Sequence, residues 1–370
     1  MKALMIFSLA CLMVACSSVS PTPVVTESAV KPFVLEGTQV FTLDSAETGN
    51  SYQVVVSLPG GYDPTDKSKT YPVLYVLDSQ WHFPLIYTAT GAVIHDGDMP
   101  PSILVGVSWA DSSNLMALRN LDLTPTPMPE NKLSGGADKF QVFLRDQLFP
   151  HIEANYQASQ HRTVSGGSSG ALFVLYTLLS QPDLFTGYIS SSPSLFWDNQ
   201  MMFGLLDRFP VDGFNEPKRV YLAWGGLEDP RLFTQFAEQL NSKQVANLEF
   251  KYAEVSNAGH AGVNAECFTR GFQHVYEKPD VSVSAAVLDR LSGTYKMKDE
   301  EYSLKFTHST GKLRIHFLPG DIEVDMRAQN DHEFYIRGHN VVIRFSPDGN
   351  KLTRTHYGRM AEYERVSIDE

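Results

Sequence analysis

The chain has 370 residues, 43% of them hydrophobic, and a formal net charge of -12. That length supports one full hydrophobic core and a second, smaller one. An acidic chain with no clustered Lys and Arg excludes a phosphate-backbone partner, so no nucleic acid is expected.

Lys2 precedes an apolar run from Ala3 to Val14, which has the length of a signal-peptide core and is too short to cross a bilayer. The run ends in Met13-Val14-Ala15-Cys16, similar to a bacterial lipoprotein cleavage box. This predicts a signal peptide over residues 1–15 and acylation of Cys16, with two or more acyl chains giving stable membrane attachment. Ser17, Ser18, Ser20, Pro21 and Pro23 read as a tether covering residues 16–32. Ser, and not Asp, follows Cys16, so similarity to known lipoproteins predicts an outer-membrane anchor facing the periplasm. Cys11 falls in the signal, which leaves Cys267 with no disulfide partner.

Residues 33–59 alternate apolar and polar, as in Gln39-Val40-Phe41-Thr42-Leu43, and predict half-exposed antiparallel strands. Val73 to Leu77 and Ile103 to Val107 are short and almost wholly apolar, as parallel strands covered on both faces are. Residues 110–136, rich in Pro, Asn, Ser and Gly, predict a long loop at the rim or lid of a site. A helix follows over 138–155, then a strand at Thr163-Val164-Ser165, a helix over 171–179, strands over 187–190 and 219–224, a helix over 231–242, a strand over 248–255 and a helix over 266–276. This alternation makes 33–278 one α/β domain, a doubly wound, mainly parallel sheet. Past Pro279 the composition changes. A short helix over 282–291 precedes alternating segments such as Lys312-Leu313-Arg314-Ile315-His316-Phe317, so 279–370 is expected to be a small antiparallel all-β domain.

Gly166-Gly167-Ser168-Ser169-Gly170 fits Gly-x-Ser-x-Gly between a predicted strand and a predicted helix, the context of a nucleophile elbow. Such a turn strains the serine backbone, lets strand and helix approach over small residues, and points free N–H groups toward developing negative charge. In an α/β-hydrolase the acid and then the histidine follow the nucleophile. Between the elbow and Pro279 the histidines are His260 and His274. His260, in the loop after the strand over 248–255, is read as general base; His274, inside a helix, is read as packing or surface. Gly225-Gly226-Leu227-Glu228-Asp229-Pro230 offers two candidate acids, Glu228 and Asp229, with Glu228 favoured. One oxyanion N–H is expected from Ser169 and the other from the loop Asp78-Ser79-Gln80-Trp81. His308, His316, His332, His339 and His356 have no compact metal-ligand spacing, and neither metal nor cofactor is expected.

Several segments in order resemble the putative-esterase family of α/β-hydrolases, which includes esterase D, enterochelin esterases and the mycolyltransferases. They are Tyr71-Pro72-Val73-Leu74-Tyr75-Val76-Leu77-Asp78, Arg119-Asn120-Leu121-Asp122-Leu123-Thr124-Pro125, Gly135-Gly136-Ala137-Asp138-Lys139-Phe140, Pro182-Asp183-Leu184-Phe185 and Ser192-Pro193-Ser194-Leu195-Phe196-Trp197. The resemblance runs over about residues 50–276. It implies a triad of Ser168, His260 and Glu228, with Gln80 and Ser169 as oxyanion donors. Gly167 departs from the pattern, since relatives carry His or an apolar residue there. The C-terminal segment looks like the β modules appended to bacterial serine hydrolases. The expected activity is hydrolysis of a small-molecule carboxylic ester through an acyl-enzyme at the cell envelope, with acyl transfer by the same triad or a non-catalytic binding lipoprotein as the alternatives. A siderophore-like anionic ester is expected to meet basic side chains near the rim, and Arg119 is one candidate by its position in the loop.

Overall fold

The computed structural model describes residues 34–366 apart from 299, 301 and 321; the expected signal, Cys16 and nearly all of the tether lie outside these. Eight strands form the first sheet: β1 (Thr38–Asp44), β2 (Ser51–Ser57), β3 (Tyr71–Leu77), β4 (Ile103–Trp109), β5 (Ala158–Gly167), β6 (Gly187–Ser191), β7 (Lys218–Gly225) and β8 (Leu248–Val255). Their spatial order is β1-β2-β4-β3-β5-β6-β7-β8. β1 pairs antiparallel with β2, and β2 with β4; every pairing from β4 onward is parallel. The residue pattern follows this division. All of β4 is buried, as a strand between two helical layers must be, whereas edge strand β1 is half exposed and alternates from Phe41 to Asp44.

The helix Arg231–Ser242 forms where expected, burying Phe233, Phe236, Ala237 and Leu240 on one stripe at three- and four-residue spacing. Burial of each of its larger apolar side chains contributes about 1.5–3 kcal/mol. The helix Ser169–Ser180 is apolar all round and buried over most of its length. Two further helices were not read from the sequence. Ser79–His95 buries Ser79, His82, Phe83, Ile86, Thr90 and Val93, a helical spacing that a count of apolar residues alone misses, and it carries Pro84 inside. Trp197–Arg208 begins with Asp198, Asn199 and Gln200 at positive φ, a kinked start with no apolar periodicity. The predicted helix over 138–155 is split into Ala137–Phe143, a π-turn at Leu144–Leu148 and Phe149–Asn155. Pro150 explains the widening, because its nitrogen offers no hydrogen to the carbonyl one turn back.

Residues 110–136 are not the lid-like loop expected. The helix Leu115–Leu123 lies within them, and Arg119, Asp122, Leu123 and Thr124 are buried. The helix is held by polar tertiary bonds. Asp122 accepts from Tyr52 Oη and Trp109 Nε1, each at 2.7 Å, and burial holds its carboxyl above the usual range.

After the helix Ala285–Leu291, nine antiparallel strands between Gly293 and Arg365, among the described residues, curl round a second core that includes Tyr295, Phe306, Ile315, Ile343 and Phe345. This sheet is tied to the first through Glu277, which pairs with Arg327 at 3.1 Å and Arg337 at 3.3 Å, and through Asp98 Oδ1, which accepts the Gly338 N–H at 3.1 Å. Asp98 lies just past the C-terminal end of the helix Ser79–His95. At 1.5 Å per residue that end is roughly 25 Å from its start. The attachment is thus remote from the end that faces Ser168.

Candidate active site

The polar residues of interest follow the C-terminal ends of parallel strands: Asp78 after β3, Ser168 after β5, Ser192 after β6, Glu228 after β7 and His260 after β8. Open parallel sheets gather their ligand sites along this edge.

Ser168 sits at φ 58°, ψ -118°, between β5 and the helix Ser169–Ser180. That is a strained conformation for a residue with a Cβ, and such strain concentrates at functional sites. The turn closes only because its flanks are glycine. A Cβ on Gly166 would stand 2.5 Å from the carbonyl carbon of Gly170, so helix and strand could not meet there. The Ser168 N–H donates to Ser191 O at 2.9 Å, which fixes the turn against β6. Ser169, at the first helical position, has no intrahelical acceptor for its N–H.

His260 and Glu228 are brought together. Glu228 Oε1 lies 2.7 Å from His260 Nδ1, while its Oε2 accepts from Ser192 Oγ at 2.5 Å and from the Gly225 N–H at 2.8 Å. Burial acts to raise the Glu228 pKa, but the bonds from Ser192, His260 and Gly225 outweigh it, and the carboxyl titrates below its ordinary value. Its contribution to stability is therefore present above the ordinary carboxylate pKa and is lost as pH falls through the lowered folded value. Asp229 lines the same cavity but is paired with Arg231 and not with His260, and hydrogen bonds from Arg231 hold its pKa down to about 2. Ser168 Oγ has its hydrogen-bond neighbour in Ser194 Oγ at 3.5 Å and does not reach His260 in this conformation, among the described residues. The two line one cavity of about 660 Å³, with Leu195, Phe196 and Phe233 on its walls. The His260 side chain is 55% exposed, with Nδ1 held on Glu228. His274 is a packing residue, buried with Nε2 against Glu249 O at 3.1 Å.

The segment Asp78-Ser79-Gln80-Trp81 is a helix start and not a loop. Asp78 takes φ 55°, and Gln80 is the second residue of the helix Ser79–His95, with its N–H beyond the reach of any intrahelical carbonyl. Arg119 is not a rim cation. Its guanidinium is buried and bidentate on Asp78, Nε to Oδ1 at 2.7 Å and Nη2 to Oδ2 at 2.9 Å, and Nη2 reaches Gly167 O at 3.3 Å. A Cβ on Gly170 would stand 3.1 Å from Asp78 Oδ2. This ion pair thus wedges the start of the Ser79–His95 helix against the elbow.

Ser192 and Ser194 escaped the sequence reading of chemistry. The usable signal was their position: they directly follow the strand next to the elbow, where side chains at the carboxyl edge of the sheet converge.

Residues 45–265 match the family model described as putative esterase. Over 276 residues the chain is 31% identical to the ferri-bacillibactin esterase BesA of Bacillus subtilis, covering 69% of this chain and 90% of that protein. It is 26% identical to the siderophore triacetylfusarinine C esterase of Aspergillus fumigatus, over 60% of this chain and 80% of that one. Among solved structures, the BES protein from Bacillus cereus superposes with a TM-score of 0.62 at 26% identity, covering 68% of this chain and 98% of that one. An IroE-like serine hydrolase from Shewanella oneidensis shares the fold with a TM-score of 0.58 at 23% identity, covering 69% and 85%. The chain belongs to the putative esterase family of α/β-hydrolases and is an ester hydrolase.

Proposed function

We propose that the protein is a serine esterase that opens ester bonds of a siderophore through an acyl-enzyme. His260 takes the Ser168 proton, the alkoxide attacks the ester carbonyl, and the N–H groups of Ser169 and Gln80 hold the oxyanion. Glu228 fixes the imidazole with Nδ1 protonated and Nε2 turned to the serine, and water then releases the acid. The observation that carries this reading is the Glu228–His260 pair at 2.7 Å, opening onto the same cavity as the strained Ser168. The substrate class rests on the relatives named as esterases of ferri-bacillibactin and triacetylfusarinine C.

Purified protein lacking residues 1–16 should hydrolyse a short-chain p-nitrophenyl ester and convert a trilactone siderophore to linear acids visible by mass spectrometry. A folded preparation that turns over neither ester contradicts the proposal. Glu228→Gln presents an amide N–H to Nδ1 and imposes the wrong tautomer, so kcat should fall on the order of 10²–10⁴-fold. Asp229→Asn removes an ion pair on the cavity wall that does not touch His260 and should leave kcat within about twofold. Equal losses in the two would reverse the assignment of the acid.

We also propose a lipid anchor at Cys16 that places the enzyme on the periplasmic face of the outer membrane. Cells fed an alkynyl fatty acid should label the wild-type protein in the membrane fraction, and Cys16→Ala should abolish the label. Labelling that survives this substitution contradicts the anchor.

A further inference from the structure

Beside the elbow, along a second cavity that Ser168 and His260 also line, runs a hydrogen-bonded chain that the proposed chemistry does not use. His82, on the helix Ser79–His95, is buried with its ring edge-on to Phe268, centroids 5.3 Å apart. Its Nδ1 lies 3.2 Å from the Leu77 carbonyl, so that nitrogen carries the proton. Nε2 is then an acceptor, and Asn264 Nδ2 faces it at 3.4 Å. Asn264 Oδ1 accepts from Ser191 Oγ at 2.7 Å, and Ser191 O accepts the Ser168 N–H at 2.9 Å. Burial lowers the His82 pKa, in keeping with the neutral ring this pattern requires. The same two side chains close over the residue before Ser168: a Cβ on Gly167 would stand 3.0 Å from His82 Cε1 and 3.2 Å from Asn264 Oδ1. Gly167 therefore leaves room for an imidazole brought in from another helix, which accounts for the missing side chain at that position.

The chain joins three parts of the site. His82 lies two residues beyond Gln80, Asn264 lies four residues beyond His260, and Ser191 bonds the nucleophile's own N–H. We propose that His82 and Asn264 are positioning residues, which lock the elbow, the start of the Ser79–His95 helix and the His260 loop into one arrangement without touching the reacting atoms. The proposal rests on Ser168 being the nucleophile.

The test compares wild type, His82→Phe, His82→Gln, Asn264→Ala and the double variant His82→Phe with Asn264→Ala. Each is followed by kcat and KM on a p-nitrophenyl ester, by the rate of fluorophosphonate labelling, and by Tm. His82→Phe keeps the ring volume but neither hydrogen bond, and should lower kcat and labelling rate about 10–100-fold, as sub-ångström misplacement of reacting groups does, with KM and Tm little changed. His82→Gln restores an acceptor near the Nε2 position and should recover much of that loss. Because the two residues share one of their bonds, the loss in the double variant should be smaller than the product of the two single losses. Wild-type rates in His82→Phe, equal losses in His82→Phe and His82→Gln, or losses that multiply in the double variant would each overturn the proposal. Should His82→Phe fail to fold, Asn264→Ala decides the matter, and an unchanged kcat there overturns it. A folded wild type that the fluorophosphonate does not label is a separate result, and it removes the nucleophile reading itself.

Discussion

Ser168→Ala should lower kcat on any ester substrate by on the order of 10⁴–10⁶-fold while leaving the melting temperature almost unchanged. The chemistry is lost because alanine offers no oxygen to attack the carbonyl, and the remaining N–H groups can stabilise only what water does unaided. The fold is spared because, among the described residues, the hydrogen-bond neighbour of Ser168 Oγ is the Ser194 hydroxyl at 3.5 Å, so little native bonding goes with it. The backbone strain at φ 58° is the same with either residue. Steady-state kinetics beside a thermal melt check both halves. Residual activity within tenfold of wild type would move the nucleophile elsewhere, and Ser194 would then be the nearest hydroxyl to examine.

The second large effect is on stability. Arg119→Ala leaves the Asp78 carboxylate, wholly removed from solvent, without its bidentate partner. An uncompensated buried charge costs about 3–5 kcal/mol. For a chain of this size that corresponds to a fall in Tm of roughly 10 °C. Activity should fall as well, since the guanidinium also bonds Gly167 O and its loss frees the Ser79–His95 helix start from the elbow. Arg119→Lys keeps the charge but cannot form the planar two-bond contact, so it should recover only part of the loss. Thermal and urea denaturation of the three proteins decide this. If Arg119→Ala melts with the wild type, the pair is not the wedge described above.

The legible parts of the site were those fixed by chain order and local turn chemistry. Gly166 to Gly170 between a short strand and an apolar helix is a local signal, and His260 followed from the requirement that a base come after the elbow. Glu228 and Asp229 looked nearly equivalent because adjacent carboxylates differ only in which way the backbone aims them. A local cue was present in Arg231, two residues on, which takes Asp229 as its own partner. Arg119 was misread for the opposite reason: its partner Asp78 lies 41 positions away, and no local pattern shows that a cation is already neutralised. The helix Ser79–His95 stayed hidden because it buries Ser79, His82 and Thr90 on its inner face, polar residues that blur the apolar period. For Arg119 and His82 the pattern failed where side chains are committed to long-range polar contacts.

The most direct measurement is covalent trapping. Folded protein treated with a fluorophosphonate and digested should yield one modified peptide, with the adduct on Ser168, and prior occupation of the site by a competing ester should slow its formation. An adduct on a different residue, or none from protein that remains folded, would contradict the assignment of Ser168 as the attacking hydroxyl.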